Sequence, residues 1–166
     1  LHGDYPLTHT NIFTASVKDD ENSSATEDDN AVVNFTDMQP SITVTKTTDV
    51  ATVAESGGAV TFNYQVGNSG AEAVTITALL DSVFAPLTGD ADCNVGTVLL
   101  PGESCAFALP KMLSGNTNIT HTNIFTSTAI DDEGNIVNHS DDAKVGFSDV
   151  MPNIAVTKTT STNSIP

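Results

Sequence analysis

The chain has 166 residues and a formal net charge of −16, with 21 acidic residues against five lysines and no arginine. This balance excludes nucleic acid and anionic membrane surfaces as partners, because both are recognised through arginine and lysine. No apolar run approaches the ~20 residues of a membrane span, so we expect no direct membrane insertion in this segment. A hydrophobic content of 39% is ordinary for a globular protein, so we expect a folded chain that is soluble and attracts divalent cations.

A long segment of the sequence occurs twice. Residues 1–48 align without a gap onto residues 113–160, so that His9–Thr14 returns as His121–Thr126. The constant offset of 112 residues is close to the length of a small domain and predicts whole domains in tandem. The chain then holds about one and a half repeats and is expected to begin and end within a repeat.

The equivalent prolines Pro40 and Pro152 each precede an alternating, strand-like run. We therefore expect residues 1–39 to be the C-terminal part of a preceding repeat and residues 40–150 to be a complete one. Residues 151–166 would be the first strand of a following repeat. The short acidic linkers before each proline would be stiffened by it.

The predicted domain is rich in strands and turns. Alternating or β-rich runs predict strands near residues 41–45, 60–66, 73–79, 106–109, 119–130 and 143–147. The near arm of the cysteine hairpin and a looser stretch around Asp81 and Pro86 bring the number to seven or eight short strands without a helix. In about 110 residues this pattern is typical of an immunoglobulin-like β-sandwich. The fold class is therefore all-β, with immunoglobulin-like β-sandwich repeats in tandem.

Two cysteines, Cys93 and Cys105, flank a stretch that reads as two short strands joined by a Pro-Gly turn. An antiparallel hairpin would bring them within bridging distance, so we expect a disulfide. The alternative is a pair of reduced, half-buried thiols. A disulfide would agree with an extracellular setting.

Several motifs resemble a known family. They are Thr61–Tyr64 followed by Gly67–Gly70, the stretch Cys93–Cys105, Thr128–Asn135 and Asp141–Ala143. In this order they resemble the conserved repeat domains of unknown function found in tandem in large prokaryotic surface and secreted proteins. The resemblance implies an Ig-like sandwich at the cell surface without catalytic activity. More broadly, the chain is similar to extender repeats of giant bacterial adhesins, many of which are stiffened by calcium.

Two acidic segments predict a calcium site. The connection between the last two strands of the complete domain carries Asp131, Asp132, Glu133, Asn135, Asp141 and Asp142. The earlier copy carries Asp19, Asp20, Glu21, Glu27, Asp28 and Asp29. Calcium takes about six to eight oxygen ligands, and we expect this loop to face the linker that holds Asp37. The alternative is a solvated acidic turn that only keeps the surface soluble.

Lys46 and Lys158 recur in the first strand of successive repeats. Some bacterial pilin-like sandwiches join such a lysine to a last-strand Asn or Asp through an isopeptide bond. The last strand predicted here offers no asparagine, so the sequence disfavours this bond. His9 and His121 also recur, but each begins a strand outside any cluster, which favours a structural role.

These features predict a structural repeat module, a stalk or extender of a large extracellular adhesin or surface protein, whose partners are neighbouring repeats of the same chain. The alternative is the subunit of a self-assembling extracellular filament or sheath, in which strands pair between molecules. Carbohydrate binding is disfavoured because the chain has no tryptophan. Nucleophile, phosphate-loop and metalloprotease motifs are absent, so we expect no enzymatic activity.

Overall fold

The structure, a computed structural model, describes residues 5–161, which form ten β-strands and no helix. Nothing in this range could therefore cross a bilayer as an apolar helix. The strands are β1 (Thr8–Lys18), β2 (Ser24–Asn34), β3 (Ile42–Thr48), β4 (Thr52–Ala54), β5 (Gly58–Asn68), β6 (Val74–Asp81), β7 (Val98–Leu99), β8 (Ser104–Leu113), β9 (Thr120–Ile130) and β10 (Ile136–Ser148). The prediction of an all-β fold is confirmed.

The strands form three sheets. One is the β1–β2 hairpin, one has five strands in the order β4-β10-β9-β6-β7, and one has three strands in the order β3-β5-β8. Strand β4 runs parallel to β10, and the other pairs are antiparallel. The five-stranded and three-stranded sheets are both built from residues 42–148.

These two sheets face each other across one apolar core. The alternation predicted for β5 is confirmed, since Phe62 and Tyr64 are buried on the same face. The Tyr64 ring stacks on Phe107 of the same sheet and meets Phe125 of the opposite sheet edge to face, with centroids 4.9 Å apart. Aromatic contacts thus join the two sheets at the centre of the core.

The duplicated sequence folds into the same hairpin twice. In β1–β2 the register pairs Thr8 with Asn34, and in β9–β10 it pairs Thr120 with Gly146, which is the same register shifted by one repeat. Burial differs sharply, because Phe13 is 73% exposed whereas its equivalent Phe125 is 0% exposed. The local sequence therefore determines the hairpin, and the rest of the domain determines its burial.

Residues 151–161 form no strand, although they repeat the sequence around β3. Ile154 and Val156 are highly exposed, while their equivalents Ile42 and Val44 are buried. In the complete domain β3 pairs with β5, whereas no strand pairs with residues 151–161 within the described part of the chain. The first strand predicted within residues 151–166 is thus not formed in the described part, and residues 1–4 and 162–166 of the outer predicted segments lie outside it.

Cys93 and Cys105 form a disulfide, with their Cα atoms 5.2 Å apart. The predicted hairpin between them is wrong. Strand β7 pairs with β6 in one sheet and β8 pairs with β5 in the other, so the turn at Pro101 and Gly102 crosses between sheets. Strand β7 has only two residues, so a β7–β8 hairpin would form far fewer hydrogen bonds than the long pairing of β8 with β5. The disulfide fixes the crossing between the sheets covalently.

Candidate functional site

The candidate site is built on the tight turn between β9 and β10. The Asp131 backbone N–H donates to the Asn135 carbonyl at 3.1 Å, and the Asn135 backbone N–H donates to Asp131 Oδ1 at 2.7 Å. Gly134 adopts a φ of 93°, and its repeat equivalent Asn22 adopts a φ of 74°. Glycine and asparagine are the residues that best tolerate this left-handed conformation. The sequence therefore encodes the same turn in both copies.

The linker that enters the domain is bound to this turn. The Asn135 side-chain amide donates to Oδ2 of Asp37 and to Oδ2 of Asp131, each at 3.0 Å. The Gln39 amide also donates to Asp37 Oδ2 at 3.0 Å. The structure thus places Asp37 beside the acidic turn, as the sequence led us to expect.

Carboxylates converge where the linker meets the turn. Oxygens of Asp37, Asp131 and Glu133 lie within 4.8 Å of one another, and so do oxygens of Glu72, Asp132 and Glu133. Glu133 belongs to both groups. Asp37 Oδ1 and Glu133 Oε2 are buried and accept no hydrogen bond. This arrangement fits a hard divalent cation such as calcium, which prefers carboxylate and amide oxygens.

The raised pKa of Glu133 also indicates that this group of carboxylates favours a positive charge. Burial raises the pKa of Glu133, and the hydrogen bond and negative charge of Asp132 raise it further, with an added contribution from Glu72. Crowded carboxylates favour either a proton or a cation in their midst. A bound calcium ion would supply the positive charge that this group of oxygens lacks.

Two predicted ligands lie elsewhere. Asp141 and Asp142 are within β10, opposite Phe125 and Ile124, and not in the turn. Because β10 begins at Ile136, they lie roughly 15–20 Å along the strand from the turn. Asp141 Oδ2 instead accepts the backbone N–H of Lys46 at 2.7 Å, and Asp142 forms an exposed ion pair with Lys144 at 2.8 Å. The prediction that all six residues lie in the connection between the last two strands is wrong, because the β9–β10 ladder continues to a short turn.

The earlier copy is divided in the same way. Asp19, Asp20 and Glu21 lie in or beside the β1–β2 turn, and Glu27, Asp28 and Asp29 lie within β2. All six are exposed, and none belongs to a cation-sized group among residues 5–161. Within the described range, no linker or second turn reaches this hairpin to complete such a group.

Sequence reasoning missed Glu72, in the connection between β5 and β6. This connection is fixed by the Asn68 side-chain amide, which donates to the carbonyls of Glu72 at 2.7 Å and Leu99 at 2.8 Å. The pairing of Thr75 with Ile130 then brings the connection beside the β9–β10 turn. The sequence signal is an acid just after an Asn-Ser-Gly turn, but only the strand order makes it a neighbour of Glu133.

The linker that leaves the domain is also fixed. Glu55 Oε1 accepts the Val150 backbone N–H at 3.0 Å, and Oε2 accepts the Thr117 hydroxyl at 2.8 Å. These hydrogen bonds, that from Val150 first, lower the pKa of Glu55. The Val150–Glu55 hydrogen bond of the leaving linker lies beyond the last residue of β10. The Asn135–Asp37 hydrogen bond of the entering linker lies before its first residue. Entry and exit therefore occupy opposite ends of the domain.

Comparison with known proteins gives no match. No family model matches the chain, and neither a curated protein nor a solved structure is detectably similar.

Proposed function

We propose that this chain is part of a stalk, in which immunoglobulin-like β-sandwich repeats follow one another head to tail. The observation that carries the proposal is the position of the two linkers. The entering linker is held at one end of β10 by Asn135, and the leaving linker is held at the other end by Glu55. A domain that admits the chain at one end and releases it at the other extends a rod with every added copy.

The length of the rod follows from strand geometry. Strand β10 has 13 residues, which at the usual rise correspond to about 40 Å. Each repeat would therefore add about 40 Å to a stalk that holds a terminal domain away from its anchor. The extreme negative charge adds self-repulsion along such a chain.

Calcium at the junction would stiffen the rod. The cluster combines Asp37 of the linker with Asp131 and Glu133 of the turn, so one ion would contact both parts. A cation there would hold the linker in one orientation on the domain. The ion would thereby resist bending at the joint between repeats.

The setting that agrees with these features is extracellular, on a large adhesin or surface protein. The disulfide between Cys93 and Cys105 belongs to an oxidising compartment. Aspartate and glutamate in great excess suit exposure to millimolar calcium, where weak sites are filled.

Small-angle scattering on proteins with one, two and three complete repeats tests the stalk. We expect the maximum dimension to grow by about 40 Å for each added repeat. Growth with the cube root of mass would show that the repeats collapse together and would refute the stalk. Adding a chelator to the same samples then tests the role of calcium separately.

The alternative function is a self-assembling filament, and one observation favours it. The β1–β2 hairpin leaves Ile12 at 60%, Phe13 at 73% and Val17 at 69% exposure. Phe13 and Val17 point to one face of the hairpin and Ile12 to the other. Exposed apolar side chains on an unpaired hairpin can attract strands from another molecule. Concentration-dependent fibres in electron micrographs of a protein with several repeats would support the filament, and a strictly monomeric rod would contradict it.

A further inference from the structure

A lysine lies in the centre of the core. Lys46 follows Ile42 and Val44 on the inward face of β3, and its side chain is 0% exposed. Its Nζ lies 2.7 Å from Asp81 Oδ2 and 5.2 and 5.0 Å from the ring centroids of Phe62 and Tyr64. A buried amine in an aromatic enclosure is costly to keep charged and is reactive once neutral.

Asp81 is held rigidly beside the amine. Its Oδ1 accepts the backbone N–H groups of Val83 at 2.9 Å and Phe84 at 2.8 Å, and its Oδ2 accepts the Tyr64 hydroxyl at 2.8 Å. Burial would raise the pKa of Asp81, but the hydrogen bonds, that of Lys46 first, lower it. Burial also lowers the pKa of Lys46, against the opposing effect of Asp81. The Asp81 carboxylate is therefore in direct hydrogen-bond contact with an ammonium whose pKa is lowered by burial, and a proton can pass between the two groups along this bond.

Asn123 occupies the opposite sheet at the same level of the core. On the inward face of β9 it lies between His121 and Phe125. The His121 ring is 5.9 Å from Phe62, and the Phe125 ring is 4.9 Å from Tyr64. Those two partners are the rings that enclose the Lys46 amine. Asn123 Oδ1 also accepts the hydroxyl of Ser82, which follows Asp81 in the chain. From these shared neighbours we infer that Asn123 is on the side of the core that faces the amine.

The Asn123 amide is poorly satisfied. The residue is 0% exposed, its Oδ1 accepts only the Ser82 hydroxyl at 3.4 Å, and its Nδ2 has no hydrogen-bond partner. A buried donor without a partner destabilises the folded state. Loss of this NH₂ group would remove that destabilisation.

We propose that Lys46 and Asn123 react to form an intramolecular amide bond, with Asp81 transferring the protons. Lys46 Nζ passes a proton to Asp81 Oδ2 and attacks Cγ of Asn123. The Nζ–Cγ bond forms and the Cγ–Nδ2 bond breaks. Nζ loses two protons in all; one completes the leaving ammonia and the second converts it to ammonium. Atoms and charge balance, and no oxidant or co-reactant is required.

Asn123 is a better acceptor than Asp81, although Asp81 is the closer group. A carboxylate that receives four hydrogen bonds is stabilised in its charged form and is a weak electrophile. The neutral amide of Asn123 carries no such charge. Asn123 is therefore the group suited to accept the nucleophile, and the role of Asp81 as proton carrier rests on its direct hydrogen bond to Lys46 Nζ.

The bond would join β3 of one sheet to β9 of the other and lock the segment between them against extension. The same residue types recur one repeat away, as Lys158 and Asn11. From the sequence we expected any partner of Lys46 to lie on the last strand, whereas in the structure the candidate partner Asn123 lies on β9.

Intact mass spectrometry of the full chain with its disulfide intact tests the proposal. The expected result is a mass lower by one ammonia molecule, with tandem spectra placing the link between the peptides that contain Lys46 and Asn123. Lys46→Met and Asn123→Ala should each have the mass calculated from the sequence of that variant, without loss of ammonia. Asn11→Ala, the repeat equivalent, serves as the matched control and should keep the loss of ammonia.

The same spectra can overturn the proposal without any variant. An unchanged mass after prolonged incubation of the wild-type protein would contradict it. Loss of one water molecule with a link to Asp81 would contradict the choice of acceptor. A loss of ammonia that persists in Lys46→Met would come from asparagine cyclisation elsewhere and would also refute the bond.

Discussion

The duplicated hairpin allows one substitution to be made in two environments. Phe125 is 0% exposed and contacts the rings of Tyr64 and Phe107, at centroid distances of 4.9 and 6.1 Å. Its repeat equivalent, Phe13, is 73% exposed. The two positions share the same local sequence and the same hairpin register. Any difference between Phe125→Ala and Phe13→Ala therefore measures the contribution of the surrounding domain.

The expected magnitudes differ widely. Replacing a buried phenylalanine by alanine in a core costs about 3–5 kcal/mol, through lost burial and the cavity left behind. Phe125 also loses two edge-to-face ring contacts, so we expect about 4 kcal/mol. A substitution at an exposed site usually changes stability by less than about 0.5 kcal/mol, and we expect this for Phe13.

Urea denaturation followed by circular dichroism, with the disulfide intact, measures both values. We expect the midpoint of Phe125→Ala to fall strongly and that of Phe13→Ala to stay at the wild-type value, with similar m-values. Equal destabilisation by both substitutions would refute the reasoning. It would show that the β1–β2 hairpin is buried in solution, as the filament alternative requires.

Three further predictions concern the disulfide and the acidic cluster. Replacing Cys93 and Cys105 by alanine should cost about 3 kcal/mol in urea denaturation, since the closed loop spans 12 residues, and an unchanged midpoint would contradict this. Without calcium, the raised pKa of Glu133 means that protonated Glu133 stabilises the folded state. This contribution is fully present below pH 4.5, the ordinary pKa of the side chain, and is lost as the pH rises through the raised pKa. Glu133→Gln should remove this decline in thermal melts across that pH range, and a decline that persists would assign it to other groups. In calorimetric titrations with calcium, Glu133→Gln should weaken binding at least tenfold while the repeat equivalent Glu21→Gln leaves it unchanged; equal effects would exclude the site at the linker.

Local pattern was sufficient for much of the fold. Period-two alternation identified the inward face of β5, and the same alternation in β3 continues from Ile42 and Val44 to Lys46. Extending the pattern by one step would have revealed the buried lysine. The gapless duplication likewise made the two hairpins, with their common register, predictable.

The features that the sequence did not predict depend on pairing between strands that are far apart in the chain. The Pro-Gly turn at Pro101 looks like a hairpin locally, but its flanking strands find better partners in different sheets. Glu72 and Asn123 acquire their neighbours only when β6 pairs with β9 and the two sheets close. The sequence places Asp141 in the connection because the predicted last strand begins at Ala143, whereas in the structure its carboxylate accepts a backbone N–H from β3 across the sheets. Such contacts depend on strand order, which no local pattern determines.

The most direct test of a stiff head-to-tail stalk is a distance between equivalent points of consecutive repeats. Asn138 is exposed on β10, and spin labels at Asn138→Cys in each of two complete tandem repeats allow a pulsed electron paramagnetic resonance measurement. With calcium we predict a single narrow distribution centred at about 40 Å, which broadens when a chelator is added. A broad distribution that is the same in calcium and in chelator would contradict the account.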